Sequence, residues 1–420
     1  MIRKKSTPKL QAELFPLEST QNPEESENIT SSRLYAMVKP EMLIWARQYA
    51  YLQIEEAAKR IGITVEKLQG WEAGSSSPTV NQLHKIANVY HQSFAVFYLP
   101  QPPRPASLPV KDYRRIPSDG ISIISPELAN EVRMAICRRE IVLQLKEDTE
   151  EEIPEFGYFT SLQDRPSDIA REIRSLLFSD LRHIPSFKDK NRAFAFFRGK
   201  LEALGILVFQ ANTVGIREMR GFSISESVLP IIVINRKDAY AGRIFSMFHE
   251  LAHILLRASG LCDIEPDITR SGKYPKIEVF CNQVAAEILM PEQLFRESIR
   301  YLLSQEQATS FTEEIIARLS DEFGVSREAI VRRLMTLNLV NNNFYELKRD
   351  QYLQELANLP KKAGGRGLPP AKNLISLAGK PYVQIVIRAV NSNRITINDA
   401  SGYFNVRIKH FNEISQLAGV

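Results

Sequence analysis

Apolar residues recur every three or four positions through most of the chain, a spacing that predicts helices. Residues 38–100 follow it closely. A helix over 53–61 ends in Gly62 as a turn, and Thr64 then N-caps a second helix over 65–72 with Leu68 and Trp71 on its apolar side. Gly74 and Pro78-Thr79 restart a helix through Leu83, Ile86 and Ala87. Helix, short glycine turn, helix is the spacing of a helix-turn-helix. Helices are also predicted over 126–148, 167–177 and 192–204, while apolar runs at 206–208 and 231–234 read as short strands. Further on, 244–256 reads as an apolar helix, and 278–290 as an amphipathic helix stopped by Pro291. Residues 313–339 repeat the earlier spacing, with Gly324-Val325-Ser326 in the place of Gly62-Ile63-Thr64. In 381–408, β-branched residues alternate with polar ones at 383–387, 394–397 and 403–406, which predicts a small β unit. Residues 1–36 are polar, rich in Ser, Glu, Asn and Pro and without periodicity, so a flexible arm is expected.

The apolar helix at 244–256 carries His249-Glu250-Leu251-Ala252-His253. Histidines four residues apart project from one helix face, which suits two ligands of one tetrahedral zinc with Glu250 as general base. The pentapeptide alone is equally compatible with two histidines at the edge of a core helix. The chain has six histidines in all, so this pairing around a glutamate is less easily accidental. Catalytic zinc takes three protein ligands and keeps a position for water or substrate. On the downstream helix Glu278 and Asn282 share a face, so Glu278 is placed to complete a His-His-Glu set and Asn282 to orient it by a hydrogen bond. Glu278 as a solvated first-turn acid is the plain alternative. Cys262 and Cys281 are weaker ligand candidates, since neither has a CxxC partner.

The pair HELAH and, about one helix later, E-x-x-C-N-x-x-A-A-E-I-L-M-P resembles the ImmA/IrrE family of zinc metallopeptidases. Residues 230–235 and the following Gly242-Arg243-x-Phe245 resemble the strand and helix lead-in of that family. Cys281 and Val284 depart from its usual Ala and Phe, both on a packing face. The resemblance implies His249, His253 and Glu278 as ligands of one Zn2+ and Glu250 as catalytic base, a gluzincin-like arrangement. It also implies a protein substrate, in other members a helix-turn-helix repressor cut once to relieve repression. Arg243, Tyr274 and His183 are the candidates for stabilising the oxyanion.

The N-terminal pattern A-x-x-x-G-I-T-x-x-x-L-x-x-W-E-x-G resembles the XRE/Cro family of repressor-like domains. DNA binding is the expected role, with Thr64, Glu66, Lys67 and Gln69 at the start of the presumed recognition helix. Gln69 suits adenine and Lys67 a guanine or a phosphate, while Glu66 repels the backbone unless it meets a cytosine amino group. Residues 38–100 hold six basic against five acidic side chains, a weak balance for phosphate contacts, so docking to another protein stays open. Residues 357–420 hold nine basic against two acidic, an excess of seven where the whole chain carries +5. A solvated basic tail and a nucleic-acid or acidic-partner contact both fit that excess. For 313–339 a packing subdomain is favoured over a second DNA reader.

The expected fold class is therefore multidomain and mainly α with an α+β catalytic core. It comprises an N-terminal all-α helix-turn-helix, a zincin-like HExxH domain and a small C-terminal β-containing unit. The expected boundaries are a flexible arm (1–36), the helix-turn-helix (37–100), a linker with bracing helices (101–160) and the peptidase-like unit (161–305). A second helix-turn-helix-like subdomain (306–345) and a basic linker with the β-containing unit (346–420) complete the chain. Three cysteines in 420 residues do not make a disulfide framework, and the basic start lacks an apolar segment behind it, so a cytoplasmic protein is expected. No run approaches the ~18 apolar residues of a membrane span. Two functions follow: a site-specific peptidase targeted by its repressor-like domain, or a DNA-binding regulator whose zinc domain senses a ligand or metal without cutting. An intact Glu250 favours the first. Sequence leaves the oligomeric state open, a dimer included.

Overall fold

A computed structural model describes residues 34–103, 108, 111–112, 124–149, 153–178, 189–258, 260–262, 273–306, 310–358 and 367–420. Residues 1–33 of the expected arm, most of the proline-rich stretch after residue 103, the acidic residues 150–152, His183 and the basic residues 359–366 lie outside it, as do the side chains of Cys262 and Tyr274.

The first helices are α1 (Pro40–Tyr49), α2 (Ile54–Ile61), α3 (Val65–Glu72) and α4 (Val80–Val89). They close over Met42, Leu43, Leu68, Trp71, Leu83 and Ile86. Gly62 ends α2 in the left-handed region at φ +80°, which glycine adopts without a Cβ penalty. Thr64 then caps α3 by accepting from the Lys67 amide at 3.3 Å, so the two-helix turn is specified by adjacent residues. Arg47 of α1 forms a two-pronged ion pair with Glu72 of α3 at 2.7 and 2.9 Å. This unit docks on α5 (Pro126–Glu147). Arg60 pairs with Glu127 at 2.8 Å, and the Arg133 guanidinium lies 3.6 Å over the Tyr49 ring and donates to the Tyr49 carbonyl.

Five strands form one sheet: β1 (Lys111–Asp112), β2 (Leu207–Ala211), β3 (Gly221–Ile224), β4 (Ile231–Asn235) and β5 (Gly260–Cys262), in the order β1-β5-β3-β4-β2. β2 runs parallel to β4, β3 antiparallel to both β4 and β5, and β1 parallel to β5. Helices cover both faces, so β2, β3 and β4 are buried throughout, and β2 and β4 read as mostly apolar runs without alternation. Successive residues still divide between the faces: Ile232 and Ile234 enter one core, Ile231 and Val233 the other.

The first face carries α6 (Pro166–Leu177), α7 (Lys190–Ala203), α8 (Tyr240–Leu255) and α9 (Lys273–Leu289). The same core extends into α10 (Glu292–Glu306), α11 (Glu313–Phe323), α12 (Arg327–Thr336) and α13 (Asn342–Asn358). α13 continues past residue 345 without a break. The second face carries α5 with α14 (Pro370–Ala378), α15 (Lys380–Asn391), α16 (Ile397–Phe404) and α17 (Phe411–Ala418). The molecule is thus mainly α with an α+β core, as expected.

The C-terminal β unit is the exception: 381–408 is helical among its described elements. Tyr382, Val383, Val386, Ile387 and Ala389 are buried together, which is a helical stripe that the β-branched content concealed. Thr396, read as strand, caps α16 in a reciprocal box with Asp399, and Asn405 stops that helix at φ +51°.

Candidate metal centre

α8 lies against β3 and β4 on one side and α9 on the other. From Phe248 to Leu255 every residue of it is buried, which is why the sequence is apolar around the motif. One helical turn separates His249 from His253, and both rings reach Glu278 on α9. His249 Nε2 is 3.2 Å from Glu278 Oε2, His253 Nε2 is 3.3 Å from Glu278 Oε1, and the two Nε2 atoms are 3.1 Å apart. Asn282, one turn after Glu278, places Oδ1 3.0 Å from His249 Nδ1. That contact holds the proton on Nδ1 and leaves the lone pair on Nε2. Among the described residues this is the one group of three side chains with metal-binding atoms so close together.

The cluster fits a cation better than it fits itself. Glu278 Oε2 is buried without a hydrogen-bond partner, and the His249 and His253 Nε2 atoms face each other at 3.1 Å. With its proton on Nδ1, the His249 Nε2 is an acceptor like the carboxylate oxygen beside it, and a shared positive ion satisfies both. Ligands about 2.0–2.1 Å from one tetrahedral zinc stand about 3.3 Å apart, close to the separations of the three atoms here. Two nitrogens and a carboxylate suit zinc, and also manganese or iron.

Charge in the cluster is strongly redistributed. Burial would raise the Glu278 carboxyl, but the two imidazoles outweigh it and hold the group at about 2. Burial would lower His249, yet Glu278 beside it raises it, while burial prevails at His253 and lowers it. Glu250 is pushed up to about 8 by burial, against the pull of His249 and of the Ser223 hydroxyl, which donates to Oε2 at 2.8 Å. Burial pushes the Cys281 thiol well up, as expected of an inert packing residue.

Ser223 was not visible as a site residue in the sequence, nor was Gly221. Both lie on β3, two residues apart and so on one face, toward α8. A Cβ at Gly221 would come 3.0 Å from Glu250 Oε1 and 3.2 Å from the Val233 carbonyl oxygen, so glycine is what lets the carboxyl lie against the strand. The Gly-x-Ser spacing was the only available signal, and without a recognised strand it meant nothing.

Among the described residues, Arg243 and the α3 residues do not join the cluster. Arg243 donates to the Asp238 carbonyl at 2.7 Å and to Gln210 of β2 at 3.2 Å, whereas Glu250 meets β3, two strands across the sheet. Thr64 is engaged in capping. Glu66, Lys67 and Gln69 are exposed on α3, with Lys67 Nζ 5.7 Å from the centre of the Trp71 ring. The basic residues of α12 are held by acids of the chain: Arg327 by Glu313 and Glu355, Arg332 by Glu328, and Arg333 by Glu287. No described helix is long and apolar enough to cross a membrane.

Comparison with known families gives two matches. Residues 201–335, from the end of α7 to α12, match the IrrE N-terminal-like domain, a peptidase family. Residues 43–97 match the helix-turn-helix family. Together they fit an ImmA/IrrE-type peptidase domain fused to an XRE-type helix-turn-helix, a family setting that points to a metallopeptidase with a bound metal. No curated protein matches the chain.

Proposed function

We propose that the chain is a zinc-dependent, site-specific endopeptidase that cuts a helix-turn-helix repressor, with the N-terminal unit bringing it to DNA or to that substrate. The convergence of His249, His253 and Glu278 beside a buried Glu250 is the observation that carries this reading. The three side chains would hold one Zn2+, and Asn282 would fix the His249 ring. A bound zinc supplies a Lewis acid that makes water acidic near neutral pH and polarises a peptide carbonyl.

The chain's own residues do the proton work. Ser223 occupies Glu250 Oε2, so Oε1 is the atom left to take the proton from the attacking water. Glu250 then passes that proton to the leaving amine nitrogen. In the metal-free chain burial raises this carboxyl, and a cation held by His249, His253 and Glu278 would favour its ionised form, the form that takes the proton. The exposed Glu66, Lys67 and Gln69 on α3 are the surface offered to DNA or to the partner repressor.

The test is incubation of the full chain with helix-turn-helix repressors from the same genome, starting with any whose gene adjoins its own. The expected result is a single cut, abolished by a chelator and restored by added zinc. An intact repressor under zinc-replete conditions would argue against that substrate.

A further inference from the structure

A cleft of about 240 Å³ opens between α8, α9 and α12. Its apolar lining follows two helix faces into the metal cluster. On α8, Ala241 and Phe245 precede His249 at successive four-residue steps and so share its face. On α9, Val279 and Ala286 flank Asn282, with Met290 just past the helix end, and Asn282 both lines the cleft and meets His249 Nδ1 at 3.0 Å. Asn282 is therefore a wall of the cleft on one side and a partner of the cluster on the other.

The wall from α12 is charged. Arg333 is 4% exposed, and its Nη2 is held by Glu287 at 2.5 Å, but its Nε is buried without a partner. An unpaired buried guanidinium N–H is costly and is relieved by an acceptor from a ligand. At the rim, Arg220 is half-exposed and pairs with Asp238 at 3.6 Å. Arg220, Arg332 and Arg333 line the cleft, each paired with an acid (Asp238, Glu328 and Glu287), so the donor left for a ligand is Arg333 Nε. The occupant that matches is apolar in the middle and anionic at one side.

We propose that this cleft is a specificity subsite for the peptide substrate. It takes one medium apolar side chain such as Leu, Met or Phe, while Arg333 Nε donates to the carboxylate of an adjacent Asp or Glu. The proposal deepens the endopeptidase reading and rests on it for calling the ligand a substrate, but peptide retention does not require cleavage. α12, the counterpart of a recognition helix, thereby reads a peptide beside the metal centre.

The test uses the full-length Glu250→Gln chain loaded with zinc and immobilised, challenged with a mixture of short random peptides. Retained peptides are sequenced by mass spectrometry. Peptides with Leu, Met or Phe next to Asp or Glu are expected to be enriched about tenfold, the scale of a well-fitted apolar pocket. Ala286→Trp, which fills the cleft, should abolish the enrichment, and Arg333→Gln should abolish its acidic part. Ala329→Leu, a smaller filling from the opposite wall, serves if the Trp variant does not melt like its parent. An unchanged profile in folded cleft-filled variants, or no enrichment in the parent, overturns the proposal. Exposure of the same mixture to the Glu250-intact chain reads the peptidase separately. Retention without cleavage there supports the subsite and breaks the peptidase reading, whereas cleavage with a profile indifferent to Ala286→Trp breaks the subsite alone.

Discussion

At the residue scale, Glu250 is the side chain whose environment does most. Its carboxyl is raised to about 8 by burial, while an unfolded chain leaves it at about 4.3. The fold therefore favours the protonated form. The stability this contributes is fully present below the unfolded value and is lost as pH rises through about 8. Glu250→Gln carries no such charge, so the metal-free variant should be about 1–3 kcal/mol more stable than metal-free wild type near pH 9, with the gap closing toward pH 4. Thermal melts across that range check this, and a constant gap would contradict it. Ser223 pulls the same carboxyl down through its hydrogen bond. Ser223→Ala should raise it further, moving the acid limb of the kcat/KM profile upward by about 1 pH unit, the worth of one hydrogen bond to a charged group. A limb that stays in place would mean that Ser223 does not tune the base. Gly221→Ala places a Cβ 3.0 Å from Glu250 Oε1, and cleavage should drop about tenfold or more with zinc content unchanged, because a small displacement of a catalytic group is costly.

At the element scale, legibility followed local information. The metal cluster was readable because helical periodicity fixes which residues share a face: His249 with His253 on α8, Glu278 with Asn282 on α9. The helix-turn-helix was readable because Gly62 and Thr64 state their own conformations. β3 was not readable. It is four residues long, too short for its Gly-Phe-Ser-Ile alternation to mark a strand, and Ser223 and Gly221 went unseen with it. The C-terminal helices were misread for a related reason. Isoleucine and valine fit a strand surface, and only packing on α5 and the sheet decides that 382–389 are helical. Their docking has a pinned joint at Gly379, between α14 and α15, which sits at φ +83° with a virtual Cβ 2.6 Å from the Arg198 guanidinium. Arg198 is buried there, paired with Glu202 at 2.9 Å and bonded to the Ser376 carbonyl at 2.8 Å. Gly379→Ala should therefore destabilise the fold by about 2–3 kcal/mol, from backbone strain and the displaced guanidinium together. Chemical denaturation checks it, and an unchanged midpoint would show that this joint yields.

At the scale of the whole molecule, one sheet separates two tasks. Its first face holds the metal cluster and the cleft. Its second face seats α5, on which the helix-turn-helix docks through Arg60 and Arg133. Such a position suits a targeting unit attached to a cutting unit. His249, His253 and Glu278 come from two separate helices, so an ion held by them would tie α8 to α9, and its binding free energy would add to stability. Removing the metal should lower the melting temperature by several degrees, on the order of what a 3 kcal/mol linkage produces, and equally in wild type and Ser223→Ala. A melt indifferent to chelation would leave the three buried ligands without a purpose. The claim on which the account rests is that Glu250 is the base of a zinc peptidase. The measurement that tests it most directly is cleavage by wild-type and Glu250→Gln chains matched for zinc content. The account predicts equal zinc and a loss of about 10³-fold in cleavage, the scale of general-base catalysis. A Glu250→Gln chain that carries the same zinc and cuts like wild type would contradict it.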